Sequence, residues 1–350
     1  TGDSYCTAPM LTISPELQAR LQKHSYDIVE AIEVIGGTNI QFAHDPKTDR
    51  VVVIEINPRT SRSSALASKA TGFPIAMVSS LLAGGMTLDE IPYWREGTLE
   101  KYTPSGDYVV VKFSRWDFEK FPGAIDKLGT QMRAVGEVMS IGKTYKEAFQ
   151  KAIRSLEKGR YGLGFVKDFN TRSLDELMEL LAEPSSERQF ILYEALRKGA
   201  DVEALHQKTH IKGWFIGQMK ELVELEEEIR RFKGKPLPND LLQRAKKDGF
   251  SDRYLSQILG VAETEIRRQR TAMGVVECWD AVPVSGVEKA AYYYSTYNAP
   301  DRVGVSSNRK IMVLGGGPNR IGQGIEFDYC CVHAAFALRD QGYESIMVNC

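Results

Sequence analysis

Two short apolar segments separated by a polar break constrain the fold more than any other stretch of the chain. Residues 39–44 alternate between polar and apolar side chains, residues 45–50 are rich in turn-forming residues, and residues 51–57 are largely β-branched. This pattern predicts a β-hairpin. A register that pairs Asp45 with Val51 brings the polar side chains of the two strands together.

The polar side chains of this hairpin are predicted to share one face. Because side chains on a strand alternate between faces, Glu55 and Asn57 lie on the same side of their strand. Asn39 and Gln41 likewise share a side. In the register above, Gln41 is opposite Glu55, and Asn39 is then opposite Asn57. Burial of such groups without partners is costly, so their clustering on an apolar strand needs an explanation. The apolar side chains predicted to point into a core are Ile40, Phe42, Val52, Ile54 and Ile56.

Carboxylate and carboxamide groups on adjacent strands suit Mg²⁺ or Mn²⁺ bound to nucleotide phosphates. Such an ion keeps water and phosphate oxygens in its shell, so the protein supplies only one or two carboxylates and a carbonyl oxygen. Arg59 and Arg62 follow the second strand, and guanidinium groups suit phosphoryl oxygens. A polar edge strand with solvated side chains would give the same pattern, and the hairpin alone does not distinguish the two.

A family resemblance favours the metal interpretation. The metal- and phosphate-binding end of an ATP-grasp domain closely resembles residues 55–76, which begin Glu-Ile-Asn-Pro-Arg-Thr-Ser-Arg. More narrowly, this segment is similar to the first synthetase half of the carbamoyl phosphate synthase large subunit. The resemblance implies that Gln41, Glu55 and Asn57 hold the divalent ions that bridge the ATP phosphates, with Gln41 and Glu55 also contributing to nucleotide binding.

The same resemblance implies catalytic roles for two arginines. Arg59 would meet the phosphorylated intermediate, and Arg62 would lie toward the exit of that site. The family makes carbamoyl phosphate from bicarbonate, ammonia and two ATP, through carboxyphosphate and carbamate. A separate glutamine amidotransferase small subunit normally supplies the ammonia. The implied cofactors are ATP and Mg²⁺ or Mn²⁺, with K⁺ as an additional candidate.

Composition excludes several other classes of protein. The 350 residues suggest two or three domains, and 43% apolar with 26% charged residues is ordinary for a globular protein. A net charge of −1 gives no electrostatic basis for binding nucleic acid or an anionic membrane. The five cysteines form no Cys-x-x-Cys pair, so a reducing cytoplasm fits best. No apolar run approaches the ~20 residues of a membrane span.

The first 157 residues carry further helix and strand signals. Ser14 is a predicted N-cap, with Pro15 at the first helical position. The stretch 135–142 fits a strand or a loop. Met132 matches a family methionine near an internal passage, and simple core packing explains it equally well. The predicted helices are residues 63–71, ending at Gly72, then 74–84 and 145–157, and the predicted strand is 108–113.

The middle region, residues 158–307, is predicted to be all helical. Ser173 and Glu176 form a capping box at the start of one helix. His206 and His210 have the spacing of metal ligands on a helix, but the glutamate of a zinc-protease motif is missing, so metal binding is not favoured. The other predicted helices are 190–198, 214–232, 240–248, 251–259 and 262–273.

Two clusters in the middle region are assigned structural roles. The acidic run at 224–228 is predicted to be a solvated helix face, and the tyrosines at 292–294 are predicted to pack rather than stack on bases. By position, and by the sequence that starts at Trp214, the region resembles the family's oligomerisation domain. The resemblance implies a homo-oligomer joined through these helices.

A glycine-rich turn between a strand and a helix lies near the end of the chain. Gly315 and Gly317 are followed by Arg320 where a dinucleotide-binding motif needs its third glycine, and there is no Gly-Lys-Ser/Thr motif. Residues 310–333 instead resemble the start of the second synthetase half of the same family, a Rossmann-like lobe that does not hold NAD. There, Glu326 would face the carbamate passage.

These features together predict an α+β protein with three parts. They are the C-terminal lobe of an ATP-grasp domain (1–157), a helical oligomerisation domain (158–307) and an incomplete Rossmann-like unit (308–350). The sequence is expected to be a fragment, because it starts without methionine and stops after a strand pattern. A different ATP-grasp carboxylase, a non-catalytic assembly module and, last, a dehydrogenase are the alternatives.

Overall fold

The computed structural model describes residues 3–91, 99, 105–284, 291–316 and 325–348, apart from the side chains of Arg62 and residues 325–327. It divides into two compact units. The first comprises Ala8–Asp107 and Ala281–Tyr294, and the second comprises the described residues of Gly2–Thr7, Tyr108–Asp280 and Ser295–Cys350. The elements in chain order are β1 (Cys6–Ala8), α1 (Pro15–Ala31), β2 (Asn39–Asp45), β3 (Arg50–Asn57), α2 (Arg62–Thr71), α3 (Ile75–Ala83), β4 (Val109–Arg115), β5 (Gly136–Gly142), α4 (Tyr145–Ser155), α5 (Leu174–Leu180), α6 (Arg188–Arg197), α7 (Val202–Thr209), α8 (Gly213–Arg230), α9 (Asn239–Lys247), α10 (Asp252–Leu259), α11 (Glu263–Ala272), β6 (Cys278–Pro283), β7 (Ala291–Thr296), β8 (Lys310–Leu314), α12 (Ile325–Asp340) and β9 (Glu344–Val348), with single 3₁₀ turns at Phe118–Lys120 and Phe169–Thr171.

Helix α1 of the first unit begins where the sequence predicts. The Ser14 hydroxyl accepts a hydrogen bond from the Leu17 amide at 3.3 Å, and Pro15 occupies the first turn. Arg20 on this helix donates two hydrogen bonds, of 2.7 and 2.8 Å, to the carboxylate of Asp49 in the hairpin turn. The helix is therefore attached directly to the tip of the hairpin.

Strands β2 and β3 form the predicted antiparallel hairpin, but with a different register at the turn. Asp45 pairs with Arg50 and not with Val51. The ladder then shifts by one residue between Gln41 and Phe42, where β3 carries an extra residue in a β-bulge. This shift restores the pairs that were predicted farther from the turn, so the predicted partners are correct although the assumed turn pairing is wrong.

The apolar side chains of the hairpin do not form the predicted core. Val52 and Ile54 are 37% and 55% exposed. The other three side chains of that prediction are only half-buried. The β2–β3 sheet has two strands within the described residues, and a two-stranded ribbon has too little apolar area to enclose its own side chains.

Helices α2 and α3 end at glycines, as predicted. The Gly72 backbone is left-handed, with φ of 72°, and a Cβ there would lie 2.1 Å from the carbonyl oxygen of Pro283, so only glycine fits. Val78 on α3 is buried with Ile91 and Leu99 in a small cluster. No single helix in the described part of the chain is long and apolar enough to cross a membrane. Helices α2 and α3 pass that test only as a pair, bent by 117°.

The second unit contains a three-stranded sheet in the order β1–β4–β5, with β4 and β5 antiparallel. Residues 135–142, for which the sequence left strand and loop open, contain β5. Helix α4 packs on this sheet, and the rings of Phe113 on β4 and Phe149 on α4 lie 6.0 Å apart. Both rings are fully buried, so they form the centre of the core beneath the sheet.

Helices α5 to α11 confirm the helices predicted in the middle region, but strands β6 and β7 pair within residues 158–307, so the prediction that this region is all helical is wrong. The Ser173 amide donates to the Glu176 carboxylate at 2.7 Å, and the Glu176 amide donates to the Ser173 hydroxyl at 3.2 Å, which completes the capping box. The apolar faces of these helices continue the core beneath the sheet as one cluster. His206 Nδ1 lies 2.6 Å from the carbonyl oxygen of Ile211, so this side chain contacts the backbone just after the end of α7.

One member of the acidic run at 224–228 contradicts the prediction of a solvated face. Glu226 on α8 is fully buried. Its carboxylate accepts hydrogen bonds from Tyr193 at 2.7 Å and Tyr254 at 2.8 Å, and it pairs with Arg197 at 2.6 Å. Helical geometry explains this, because position 226 lies on the stripe occupied by buried apolar residues one turn away on each side.

The C-terminal part forms the predicted strand–helix–strand unit. Strands β8 and β9 pair in parallel with α12 between them, as in a Rossmann-like fragment. The glycine-rich turn from residue 317 onward and the side chain of Glu326 lie outside the described residues. Antiparallel sheets, a helical middle and this parallel unit together confirm the α+β class.

Candidate metal and phosphate site

The polar face of the hairpin lies beyond the bulge. There Gln41 pairs with Glu55, and Asn39 pairs with Asn57, as predicted. Directly opposed residues on antiparallel strands hold their side chains on the same face, a few ångströms apart. The register therefore places the Gln41 carboxamide opposite the Glu55 carboxylate, and alternation along β3 places the Asn57 carboxamide on the same face.

Hydrogen bonds bring together the side chains of Gln41, Glu55 and Asn57, the three residues predicted to hold a metal. Gln41 Nε2 donates to Glu55 Oε1 at 2.6 Å, and Asn57 Nδ2 donates to the same oxygen at 3.1 Å. Glu55 is exposed, and the two amides are half-exposed, so the cluster is open to solvent. Among the described side chains, no cation lies within 4.0 Å of the Glu55 carboxylate, whose hydrogen-bond partners are two neutral amides.

The donor chemistry of this cluster fits a hard divalent cation. The oxygen and nitrogen of a carboxamide diverge from one carbon, so each amide that donates to Glu55 directs its oxygen elsewhere. Glu55 Oε2 accepts no hydrogen bond from the described residues. The described residues contain no cluster of three or more His, Cys, Asp or Glu side chains that could hold a metal. A cation at the hairpin would bind the Glu55 carboxylate, would reach the amide oxygens once the two carboxamides rotate toward it, and would take the rest of its shell from water and phosphate.

The two predicted arginines follow the cluster immediately. The Arg59 amide donates to the carbonyl oxygen of Asn57 at 2.8 Å, and its side chain is exposed. Arg62 is the first residue of α2, but its side chain lies outside the described part. The N-terminus of α2, where the Ser61 amide donates to the Ser64 hydroxyl at 3.1 Å, carries a partial positive charge next to Arg59.

A close backbone approach anchors the start of the hairpin on α3. The Gly37 amide donates to the Ser79 hydroxyl at 2.5 Å. Gly36 has φ of 108°, and a Cβ there would lie 2.9 Å from the same hydroxyl oxygen. Thr38 Oγ1 donates to the carbonyl oxygen of Asn57 at 3.3 Å, so both strands are held where the ligands meet.

Sequence reasoning missed the ion pair between Arg20 and Asp49 at the turn of the hairpin. Asp49, in the turn, binds Arg20 and also lies 2.9 Å from Nε2 of His44. The Arg20 hydrogen bonds, followed by that of His44, hold the pKa of Asp49 well below its usual range. Arg20 and Asp49 are 29 positions apart, so no local pattern indicates the pair.

Comparison with known proteins gives three consecutive matches to family models. Residues 1–91 match the carbamoyl-phosphate synthase L chain, ATP binding domain. Residues 137–274 match the carbamoyl-phosphate synthetase large chain, oligomerisation domain, and residues 307–350 match the carbamoyl phosphate synthase preATP-grasp domain. The chain belongs to the carbamoyl phosphate synthase large-chain family.

Individual relatives agree with this assignment. The carbamoyl phosphate synthase large chain of Archaeoglobus fulgidus is 49% identical over all of this chain and 33% of its own length. Those of Thermotoga neapolitana and Vibrio cholerae are each 48% identical over the whole chain, and the match covers 31% and 33% of their lengths. The chain therefore spans about a third of the length of the large chains it matches.

Two further expectations concern the carbamoyl phosphate synthase passage. Met132 is 64% exposed in the second unit, so core packing does not explain it. The side chain of Glu326 lies outside the described residues. The assignment of these residues to a passage stays a prediction.

Proposed function

We propose that this chain carries the carboxyphosphate metal site of an ATP-dependent carbon–nitrogen ligase, a glutamine-hydrolysing carbamoyl phosphate synthase. The convergence of Gln41 and Asn57 on the carboxylate of Glu55 carries the proposal, because it brings one exposed carboxylate and two carboxamide side chains together within a domain of that family. The whole enzyme would convert bicarbonate, ammonia and two ATP into carbamoyl phosphate, two ADP and phosphate.

Each residue of the cluster has a distinct task in this proposal. Glu55 supplies the charged ligand, and the amide oxygens of Gln41 and Asn57 complete the protein's share of the shell. A bound Mg²⁺ or Mn²⁺ would neutralise charge on the nucleotide phosphates. Arg59 orients and neutralises the phosphoryl group as bicarbonate attacks it, and Arg62, the first residue of α2, would lie toward the exit of that site.

Ammonia would displace phosphate from carboxyphosphate to form carbamate, which a second ATP phosphorylates. A glutamine amidotransferase small subunit would supply the ammonia, and K⁺ is a further candidate ion. We place the enzyme in the cytoplasm, in line with the absence of paired cysteine motifs in its sequence. The 350-residue chain alone is expected to show no bicarbonate-stimulated phosphate release, and observation of such turnover would contradict this.

Titration with Mn²⁺ tests the metal site directly. Calorimetry or Mn²⁺ paramagnetic resonance on the 350-residue chain should show one site, strengthened by ADP or ATP. Glu55→Ala should weaken Mn²⁺ binding at least about tenfold, because it removes the only carboxylate of the set. The control is Glu30→Ala, which removes an exposed carboxylate from α1. Equal binding by both variants and the parent chain would refute the site.

Self-association is a second candidate function, supported by the match to the oligomerisation domain. Sedimentation velocity over a range of protein concentrations measures it without any ligand. Leu180→Asp alters an apolar side chain that is 38% exposed on α5, and should lower the association constant if that face is used. Sedimentation as a monomer at every concentration would leave the metal site as the single proposed function of the chain.

A further inference from the structure

A cavity of about 360 Å³ lies within the second unit. Its wall comes from α4, from the turn between α9 and α10, and from the ends of β6 and β7. Five basic and four acidic side chains line it. The basic residues are Lys151, Arg154, Lys246, Arg253 and Arg267.

The acidic side chains of this cavity are already bound by protein donors. Glu147 accepts hydrogen bonds from the Thr296 hydroxyl at 3.0 Å and the Asn298 amide at 3.2 Å. Glu263 pairs with Arg267 at 3.1 Å on the rim. These carboxylates therefore offer little attraction to a cationic ligand.

The two remaining carboxylates, Asp252 and Glu277, are paired with cations of the protein. Asp252 pairs with Lys246 at 2.6 Å and with Arg270 at 2.8 Å. Glu277 accepts from the Tyr297 hydroxyl at 3.1 Å and pairs with Arg270 at 3.2 Å. Arg270 is thus shared between them, so cations that they already contact compensate the charges of Asp252 and Glu277.

Two arginines of the lining are not compensated in this way. Arg154 donates to the carbonyl oxygen of Gly249 at 2.6 Å, and no carboxylate of the described residues lies within 4.0 Å of its guanidinium. Arg253 stacks over the ring of Tyr161 at 4.3 Å and likewise pairs with no described carboxylate. A guanidinium held by a carbonyl or a ring keeps its charge and its remaining donors for another partner.

Lys151 adds a third cation beside Arg154 on α4. It donates to the carbonyl oxygens of Ile141 and Ser295, and its ammonium lies 3.9 Å from the Glu147 carboxylate, which other donors already bind. Burial lowers the pKa of Lys151 to about 8 and also lowers the pKa of Arg154. In both groups burial disfavours the charged form, and an anion bound beside them would favour it.

We propose that this cavity binds a small phosphate-bearing anion, held by Arg154 and Lys151 on α4 and by Arg253 on the rim. Guanidinium forks match the geometry of phosphate oxygens, and two or three cations suit a group with two negative charges. The cavity is larger than inorganic phosphate, and its size falls in the range of small-molecule sites, so there is room for a small organic group on the phosphate. This site is independent of the metal site of the hairpin.

Calorimetric titration of the 350-residue chain with inorganic phosphate and with glycerol phosphate tests the proposal. Sodium chloride at matched ionic strength serves as the reference. We expect saturable one-to-one binding of at least one of the two phosphates, tighter for the monoester if the organic group is also recognised. Binding no tighter than that of chloride would overturn the proposal.

Substitutions locate the binding. Arg154→Gln should weaken phosphate binding about tenfold, since it removes a charge-assisted contact. Arg253→Gln should weaken it severalfold, and this exposed residue can be changed even if Arg154→Gln fails to fold. The control Arg268→Gln, on the outer face of α11, should bind as the parent does. Binding that is unchanged by Arg253→Gln, or that is lost in Arg59→Gln, would place the phosphate elsewhere and refute this site.

Discussion

Two glutamates, Glu55 on the hairpin and Glu226 on α8, lie in opposite surroundings. Glu55 is exposed and contacts two neutral amides, whereas Glu226 is fully buried among two tyrosine hydroxyls and Arg197. A buried carboxylate must have its charge balanced by the fold itself. An exposed one that meets only amide donors keeps its charge for an external cation. The difference separates a carboxylate that stabilises the fold from one that is available for binding.

Removal of the cation that pairs with buried Glu226 should have the largest effect on the free energy of unfolding. Arg197→Met leaves the buried carboxylates of Glu226 and Glu194 without their cation, so we expect a loss of about 3–5 kcal/mol in the free energy of unfolding. Urea denaturation followed by circular dichroism measures it. Arg268→Met breaks an exposed pair on α11 and should leave the midpoint nearly unchanged. Similar losses of unfolding free energy in the two variants would show that the buried ion pair stabilises the fold no more than the exposed one.

A smaller and pH-dependent effect is expected at Asp117, another buried carboxylate. Burial opposes its charged form, but hydrogen bonds from Lys120 and Arg115 outweigh this and lower its pKa to about 2. Because the folded-state pKa lies below the unfolded value of about 3.9, ionised Asp117 stabilises the fold above about pH 4. That contribution disappears as the pH falls toward 2.

Asp117→Asn makes this measurable. The difference in unfolding free energy between the parent chain and the variant should be constant above about pH 4 and should shrink below it. Chemical denaturation at a series of pH values follows the difference. If the difference in unfolding free energy between the parent chain and the variant stays constant down to pH 2, the ion pairs of Asp117 do not stabilise the folded state.

The smallest effect on stability is expected at the exposed carboxylate. Glu55→Gln should change the free energy of unfolding by no more than about 0.5 kcal/mol, as for other surface positions, while it weakens Mn²⁺ binding. Denaturation and metal titration on the same sample separate the two. A large loss of stability without loss of metal binding would assign Glu55 a structural role and reverse the contrast with Glu226.

Strand periodicity explains why the cluster on the hairpin was predictable. Alternation on each strand places Glu55 with Asn57 and Gln41 with Asn39, and a turn of a few residues leaves only neighbouring registers to choose from. The bulge was not predictable, because a β-bulge depends on how the two strands fit and has no residue pattern of its own here. The roles of Arg59 and Arg62, and the domain boundaries at 157 and 307, stay predictions.

Burial was harder to predict than secondary structure. The helices from Ser173 onward were found from caps and glycine stops, which are local signals. The burial of Glu226 was missed because four acidic residues among the five at 224–228 suggest a solvated surface. A signal was present, since Leu222, Val223 and Ile229 lie one turn away on the same stripe. The exposure of Val52 and Ile54 could not be deduced, because it depends on what packs against the hairpin.

The extra residue in β3 divides the hairpin into two sections that are aligned separately. Between the bulge and the turn, the length of the turn determines which residues of β2 and β3 pair. Beyond the bulge, the pairing is shifted by one residue. A protein engineer who exchanges residues 46–49 for another connection of equal length should therefore leave the cation ligands in place. Deletion of Ile54 would straighten the ribbon and alter its coiling at the point where Gln41 and Glu55 meet.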